Sequence, residues 1–330
     1  MKTQPGAILC LFGSLASLLP SLVRADVLSH LPEKASPGAI KFQPALDFDE
    51  DVCYYTAAID NVGAINPGLP NKDQKHSQCR HPDRLENLNV YVRQRCNGGW
   101  CAYLYDYYAE MDNPPSLSTV GGHRNEWEHV VVWTKYSQTN ELGWPADETI
   151  SHVSTSAHGE FYTHKAKDYS FADFGDGDGP NHPLVVVHHK GALNASLRPA
   201  EYHDVEKGPE NYTKKWVRGA LVQMETIDKG LKKALEDADW GGPNAAVLHG
   251  IEDYLSDAMP DEAKYAFNPK LENKPLMFEL KGHVPQVSNY GWFRVPSKIQ
   301  GNVPRESNYG WFRVPSEIVP SGIHTRKWVG

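Results

Sequence analysis

Residues 121–133 read GGHRNEWEHVVVW. Val130, Val131 and Val132 are β-branched and lie between Trp127 and Trp133, a composition that fits a strand rather than a helix. The spacing predicts a strand beginning near Glu126 or Trp127. Side chains alternate across a strand, so Glu126, Glu128, Val130 and Val132 fall on one face and Trp127, His129, Val131 and Trp133 on the other. Two carboxylates two residues apart on one face are costly to bury unless something positive lies between them. His123, in the turn before the strand, can fold back toward them, and Arg124 can pair with either. Oxygen ligands with one imidazole suit a hard divalent cation, Mg²⁺ or Ca²⁺, better than zinc. A zinc hydrolase needs its ligands on a helix, and the HExxH spacing is absent. A salt-bridge cluster at a strand edge fits the same residues, and spacing alone leaves cluster and cation site evenly balanced.

Outward from this strand, short β-type runs recur at Leu88–Val92, Trp100–Tyr108, Ile150–Ser154 and Leu184–His189. Turn residues separate them: Asn97-Gly98-Gly99, Asn113-Pro114-Pro115, Gly143-Trp144-Pro145 and the stretch from Asp173 to Pro180. Apolar residues at helical spacing predict one helix over Val217–Ala238, through Leu221, Met224, Ile227, Leu231 and Leu235, and a second covers Ala246–Ala258. No strand–helix–strand alternation appears, so the expected fold is β-rich (α+β), a β-sandwich with flanking helices. Asp173, Asp176 and Asp178 offer oxygen ligands for Ca²⁺ without the EF-hand pattern, so a solvated turn is the simpler reading. Asp112 sits at the end of a Tyr-rich strand, well placed to reach the charged stretch. No G-x-S-x-G marks an activated serine.

The N-terminus, MKTQPGAILCLFGSLASLLPSLVRAD, has the charge, apolar run and small-residue end of a secretory signal over residues 1–25. Residues 26–45 read as an N-terminal arm with Pro32, Pro37 and Pro44. Beyond the signal four cysteines remain, an even number that fits disulfides in an oxidising compartment; the local pairing is Cys53–Cys79 with Cys96–Cys101. Sequons at Asn194 and Asn211 are candidate glycosylation sites. The net charge of −8, with no cluster of Lys and Arg, argues against nucleic acid as a partner. The tail, residues 269–330, carries VPQVSNYGWFRVPSKI (284–299) again as VPRESNYGWFRVPSEI (303–318), identical at 13 of 16 positions. Duplication explains this most simply; an aromatic surface built from Tyr290, Trp292, Phe293, Tyr309, Trp311 and Phe312 is the functional alternative.

GHRNEWEHVVVW resembles GHRHDWE and its Val-rich continuation, the hallmark of the necrosis- and ethylene-inducing peptide-like proteins, which are secreted cytolysins of plant-associated microbes. RCNGGWCAYLYDYYAEMD (95–112), STSAHG (154–159), LVVVHHKG (184–191) and LEDADWG (235–241) extend the resemblance over roughly residues 40–268. It implies an actinoporin- and fungal-lectin-like β-sandwich over residues 46–268 and no enzymatic turnover. It implies a divalent-cation cavity formed by Asp112, His123, Glu126 and Glu128 and lined by His158 and His188. The implied partner is the glycosyl inositol phosphoryl ceramide head group of plant plasma membranes, bound by a monomer that then permeabilises the membrane. A non-cytotoxic glycan- or lipid-binding elicitor is the alternative. The sequence departs from the hallmark at Asn125, where a histidine is usual, and at Glu126, where an aspartate is.

Overall fold

The Val-rich run is the centre of a longer strand, and the strands around it close into two facing sheets. The computed structural model describes residues 27–70, 76–112, 122–136, 147–175, 179–189, 194–272, 291–294 and 311–314. In chain order these form helix α1 (Pro37–Lys41), strands β1 (Ala45–Phe48) and β2 (Tyr55–Thr56), and helices α2 (His76–Cys79) and α3 (Pro82–Glu86). Strands β3 (Asn89–Asn97), β4 (Trp100–Asp112), β5 (His123–Tyr136), β6 (Glu148–Ala157), β7 (Glu160–Lys165), β8 (Phe171–Ala172), β9 (His182–His189) and β10 (Ala195–Pro199) follow. Helix α4 (Tyr202–Lys207), strand β11 (Ala220–Gln223), helices α5 (Lys229–Asp237) and α6 (Ile251–Asp257) and strands β12 (Gly291–Arg294) and β13 (Trp311–Val314) complete the set. The signal segment, Asn113–Pro115, Gly143–Pro145, Asp176, Asp178, Tyr290 and Tyr309 lie outside the described residues.

The larger sheet runs β11-β3-β4-β5-β6-β7, with β2 also on β4; the smaller runs β1-β9-β10, with β8 on β9. Alternation along β4 and β5 sorts the core into two layers. Tyr103, Tyr105, Tyr107, Val130 and Val132 pack with Phe48, Val185, Val187 and Leu197 of the smaller sheet. Trp100, Leu104, Trp127, Val131 and Trp133 pack on the other side against Leu235, Val247, Ile251 and Leu255 of the α5–α6 region. The sandwich thus carries helices on one outer face, as the fold expectation required. Burying a large apolar side chain contributes about 1.5–3 kcal/mol, and both faces of β5 do so from Val130 to Trp133.

The β3–β4 hairpin turns at Gly98 and Gly99, both at positive φ (60° and 79°), as a two-residue turn between right-twisted strands demands. A Cβ at Gly98 would also lie 1.9 Å from the Ala266 carbonyl oxygen. One pair further along the ladder, beyond Asn97 and Trp100, Cys96 and Cys101 stand opposite one another and are bridged, and Cys53 is bridged to Cys79.

Three expectations need correction. The predicted helix over Val217–Ala238 is a strand followed by a shorter helix. Leu221 is in β11, which pairs in parallel with β3 opposite Val90, and α5 begins only after Asp228, whose carboxylate caps the Gly230 and Leu231 amides. The second helix is shorter than expected and starts after Gly250, which takes the left-handed φ of 70°. Asn211 is fully buried, with its Nδ2 donating to Asp47 Oδ1 (3.0 Å) and to the Lys215 carbonyl (2.8 Å), so the folded chain has no room for a glycan there. Within residues 26–45, Leu31, Ala39 and Phe42 are core residues, and Tyr105 donates its hydroxyl to the Ala39 carbonyl (2.8 Å).

The chain divides into two units, residues 1–276 and 277–330. Within the second, β12 and β13 pair antiparallel, and each belongs to one copy of the repeat. Phe293 stands opposite Phe312, while Trp292 faces Arg313 and Arg294 faces Trp311, so the two copies are related by a local two-fold.

Candidate functional site

β6 accompanies β5 only from Val130 onward, where Val130 lies opposite Thr155. Toward the N-terminus the ladder opens. The His129 amide donates to the Ser156 hydroxyl (2.7 Å) instead of to a carbonyl, and Ser156 in turn donates to Glu128 Oε2. The other edge of β5 stays paired with β4, Glu128 opposite Tyr107 and His123 opposite Asp112. A cavity of about 500 Å³ occupies the opening, with His123, Glu126, Glu128 and Ser156 on one side and Asp253, Tyr254 and Asp257 of α6 among the residues on the other. No lysine or arginine lines it among the described residues.

Asp112, His123 and Glu126 each place one ligand atom within 4.8 Å of the others. His123 donates from Nδ1 to the Asn125 carbonyl (2.7 Å), which turns Nε2 toward Glu126 Oε2 at 3.1 Å. That hydrogen bond, reinforced by the carboxylate charge, raises the His123 pKa to about 9, so without a metal the ring is protonated at neutral pH. Burial pushes the Glu126 carboxyl above the usual range, partly offset by His123. Burial, with the neighbouring Glu126 charge, holds Glu128 well above it. Asp112 accepts from the Ala195 amide at Oδ1 (3.1 Å), whereas its Oδ2 is buried with no hydrogen-bond partner. An orphaned buried carboxylate oxygen beside an imidazole and a second carboxylate fits a hard divalent cation, and those residues could hold one. Glu128 lines the same cavity but stands outside the three-residue group.

The two histidines expected as lining differ. His158 lines the cavity from the β6–β7 turn, where it takes φ 56° and Gly159 takes φ 80°. His188 lines a separate cavity of about 260 Å³ that shares His158, and its Nε2 is 3.3 Å from the Ser196 hydroxyl. Burial, with Arg198 nearby, lowers its pKa to about 4, so the ring is neutral. The neighbour His189 instead brings Nε2 to 3.5 Å from Asp112 Oδ1. Asn194 places Nδ2 3.2 Å from His123 Nε2 at the cavity wall. Sequence reasoning missed Ser156 as the support of Glu128. Its signal was weak, a serine one residue before Ala157 in a run of small polar residues.

Asn125 has a structural task. It sits in the strand at φ 62°, a region asparagine enters more readily than most residues. Its Oδ1 accepts from the Tyr108 hydroxyl (2.7 Å) and its Nδ2 donates to the Trp240 carbonyl (3.2 Å). Through these bonds this left-handed residue ties β4, β5 and the loop at Trp240 together. Gly68 crosses so close that a Cβ there would meet Asn125 Oδ1 at 2.3 Å.

Comparison with known proteins places the chain in a family. The model of the family described as necrosis inducing protein (NPP1) matches residues 37–256. The Phytophthora nicotianae protein named necrosis-inducing protein NPP1 is 25% identical over 246 residues, covering 71% of this chain and 91% of that protein. NLP effector protein 3 of Phytophthora capsici is 33% identical over 169 residues, 48% of this chain and 66% of its own length. A structure of NLPPya in complex with mannosamine superposes with a TM-score of 0.55 at 25% identity, covering 71% of this chain and 96% of that one. The non-toxic HaNLP3 protein shares the fold with a TM-score of 0.54 at 22% identity, over 71% of this chain and 97% of its own. The family model covers more than half of the chain, so this chain belongs to the necrosis-inducing protein (NPP1) family, whose members are toxins and effectors rather than enzymes.

Proposed function

We propose that the chain is a secreted, cytolysin-type necrosis-inducing protein. Its cavity binds the sugar head group of plant plasma-membrane sphingolipids, the glycosyl inositol phosphoryl ceramides, with a divalent cation held by Asp112, His123, Glu126 and Glu128. The carrying observation is the buried, unpartnered Asp112 Oδ2 within reach of His123 and Glu126. A bound Mg²⁺ or Ca²⁺ supplies positive charge and open coordination positions for sugar hydroxyls. The protein's own groups do the rest. Ser156 fixes Glu128, the Asn125 carbonyl turns His123, and the Ala195 amide orients Asp112. The mannosamine complex of NLPPya supports a sugar as the ligand class. The N-terminal signal pattern and the two disulfides support secretion.

A second reading is a non-lytic head-group binder on the same scaffold. It is favoured by Glu126, whose extra methylene relative to aspartate moves the carboxylate within the cavity, and by the sharing of this fold with the non-toxic HaNLP3 protein. Infiltration of purified protein into leaves, scored by ion leakage, separates the two. Leakage that disappears with Glu126→Ala supports lysis; no leakage at any dose leaves the binder reading. Failure of the chain to bind either cation or sugar by calorimetry would contradict both.

A further inference from the structure

The cavity has a second functional side that the cation set does not use. His129 points to the opposite face of β5 from Glu128, toward α6, yet it also lines the cavity because the β5–β6 ladder is open there. Its Nδ1 is 2.8 Å from Oδ1 of Asp106, which is fully buried on the adjacent strand β4. The other oxygen of Asp106 accepts from the Val247 amide at 2.8 Å. The carboxylate is therefore locked at both oxygens. A carboxylate facing Nδ1 keeps the proton on that nitrogen, so in the neutral ring Nε2 presents its lone pair. His129 is 7% exposed, and Nε2, on the far edge of the ring from Asp106, has no partner among the described residues. Tyr254 packs edge-on to the imidazole at 5.0 Å, and Phe161 lies 6.2 Å from it; both line the same cavity.

A buried aspartate and a fixed imidazole are an expensive arrangement for a structural hydrogen bond alone. A carboxylate that orients an imidazole so that its other nitrogen meets a ligand is a common use of such a pair. Here the free nitrogen stands beside two aromatic rings. An acceptor flanked by aromatic surface suits a molecule with hydroxyl groups on one edge and C–H on its faces.

We propose that His129, positioned by Asp106, forms with Tyr254 and Phe161 a second sugar-contact point on the α6 side of the cavity, where Nε2 accepts a hydrogen bond from a sugar hydroxyl. The inference rests on the sugar-binding reading above and adds to it a residue set separate from the cation ligands. It predicts that sugar affinity and cation affinity can be uncoupled by mutation.

The test is calorimetric titration of mannosamine into the purified chain with saturating Mg²⁺ or Ca²⁺, alongside titration of the cation alone. His129→Phe keeps an aromatic ring and removes the acceptor. It is expected to weaken mannosamine about tenfold or more, while cation affinity stays within about twofold. Asp106→Asn places an amide N–H toward Nδ1, because the Val247 amide retains the amide oxygen. The ring proton then moves to Nε2 and the acceptor becomes a donor. This variant is expected to weaken mannosamine similarly and to exchange the Nδ1 and Nε2 signatures in ¹⁵N NMR. In the unmodified chain mannosamine is expected to shift the His129 Nε2 resonance, a readout that needs no variant. Unchanged mannosamine affinity in both variants, or no Nε2 shift in a chain that binds mannosamine, would overturn the proposal while leaving the sugar-binding reading intact. An unmodified chain that binds the cation but not mannosamine would overturn both.

Discussion

The two halves of β5 share one backbone and are built to opposite ends. From Val130 to Trp133 the strand is paired on both edges, and its side chains are fully buried in two apolar layers. From His123 to His129 one edge is unpaired by β6, and Asn125, Glu126, Glu128 and His129 are buried there alongside Trp127. The difference between the halves is where the pairing of β6 with β5 ends, since β6 itself runs on to Ala157 paired with β7. A continuous ladder would have filled the opening with backbone hydrogen bonds. Ending it at Thr155 leaves Ser156 to hold Glu128 and leaves space for a ligand. Apolar packing dominates one half and buried carboxylates the other, so neutralising a cavity carboxylate should act in the opposite direction from truncating a core side chain.

The largest effect is expected from Trp133→Ala. It opens a cavity in the layer against Phe267, where the rings meet edge-on at 5.2 Å. A loss of about 3–5 kcal/mol in denaturant-unfolding stability is expected. In the other half, Asn125→Ala removes a residue suited to φ 62° and leaves the Tyr108 hydroxyl without its acceptor. It should cost about 1–3 kcal/mol by the same measurement. Glu128→Gln should move stability the other way. It relieves a buried charge beside Glu126 while an amide oxygen can still accept from Ser156. The metal-free protein is expected to gain about 1–2 kcal/mol at pH 7–8 while cation affinity falls. A destabilised Glu128→Gln protein would contradict the contrast between the halves.

The pH dependence is the subtlest effect. Without a metal the His123 pKa is raised to about 9 by Glu126, so the proton stabilises the fold below the ordinary histidine range and that stabilisation is lost as pH rises through about 9. A cation taking Nε2 must displace this proton and also meet Glu126 and Glu128 ionised, although burial raises both. Cation affinity is therefore expected to rise from pH 6 toward pH 9, with protons released on binding. Titration in buffers of different ionisation enthalpy measures that release. Affinity independent of pH over this range would contradict His123 as a ligand.

Much of this architecture is legible in the sequence, because β-branched and aromatic runs bounded by Gly and Pro turns specify strands directly. The runs at Leu88, Trp100, Trp127, Ile150 and Leu184 all lie at or within observed strands, though each strand extends beyond its run. The Val217–Ala238 helix misled for a physical reason. Leu221 and Met224 keep helical spacing with Ile227 and Leu231, but parallel pairing with β3 offers the first part a ladder that local periodicity cannot reveal. At the site, spacing drew attention to His123, Glu126 and Glu128 and a strand end to Asp112, but it left a salt-bridge cluster and a cation site evenly balanced, and only the resemblance named the four as ligands. His189 beside Asp112 and Asp106 behind His129 were not, because each contact joins strands far apart in the chain. Asn125 looked like a lost imidazole in the sequence; in the fold it is the residue that allows the strand its left-handed step.

The central claim is that the open half of β5 is a cation-assisted sugar site. The most direct measurement is calorimetric titration of mannosamine with the purified chain in Mg²⁺ or Ca²⁺ and again in excess chelator. Binding in the presence of the cation and loss of at least about tenfold in affinity on chelation, reproduced by Asp112→Asn with the cation present, is the predicted result. Equal binding with and without chelator, or no binding in either condition, would contradict it.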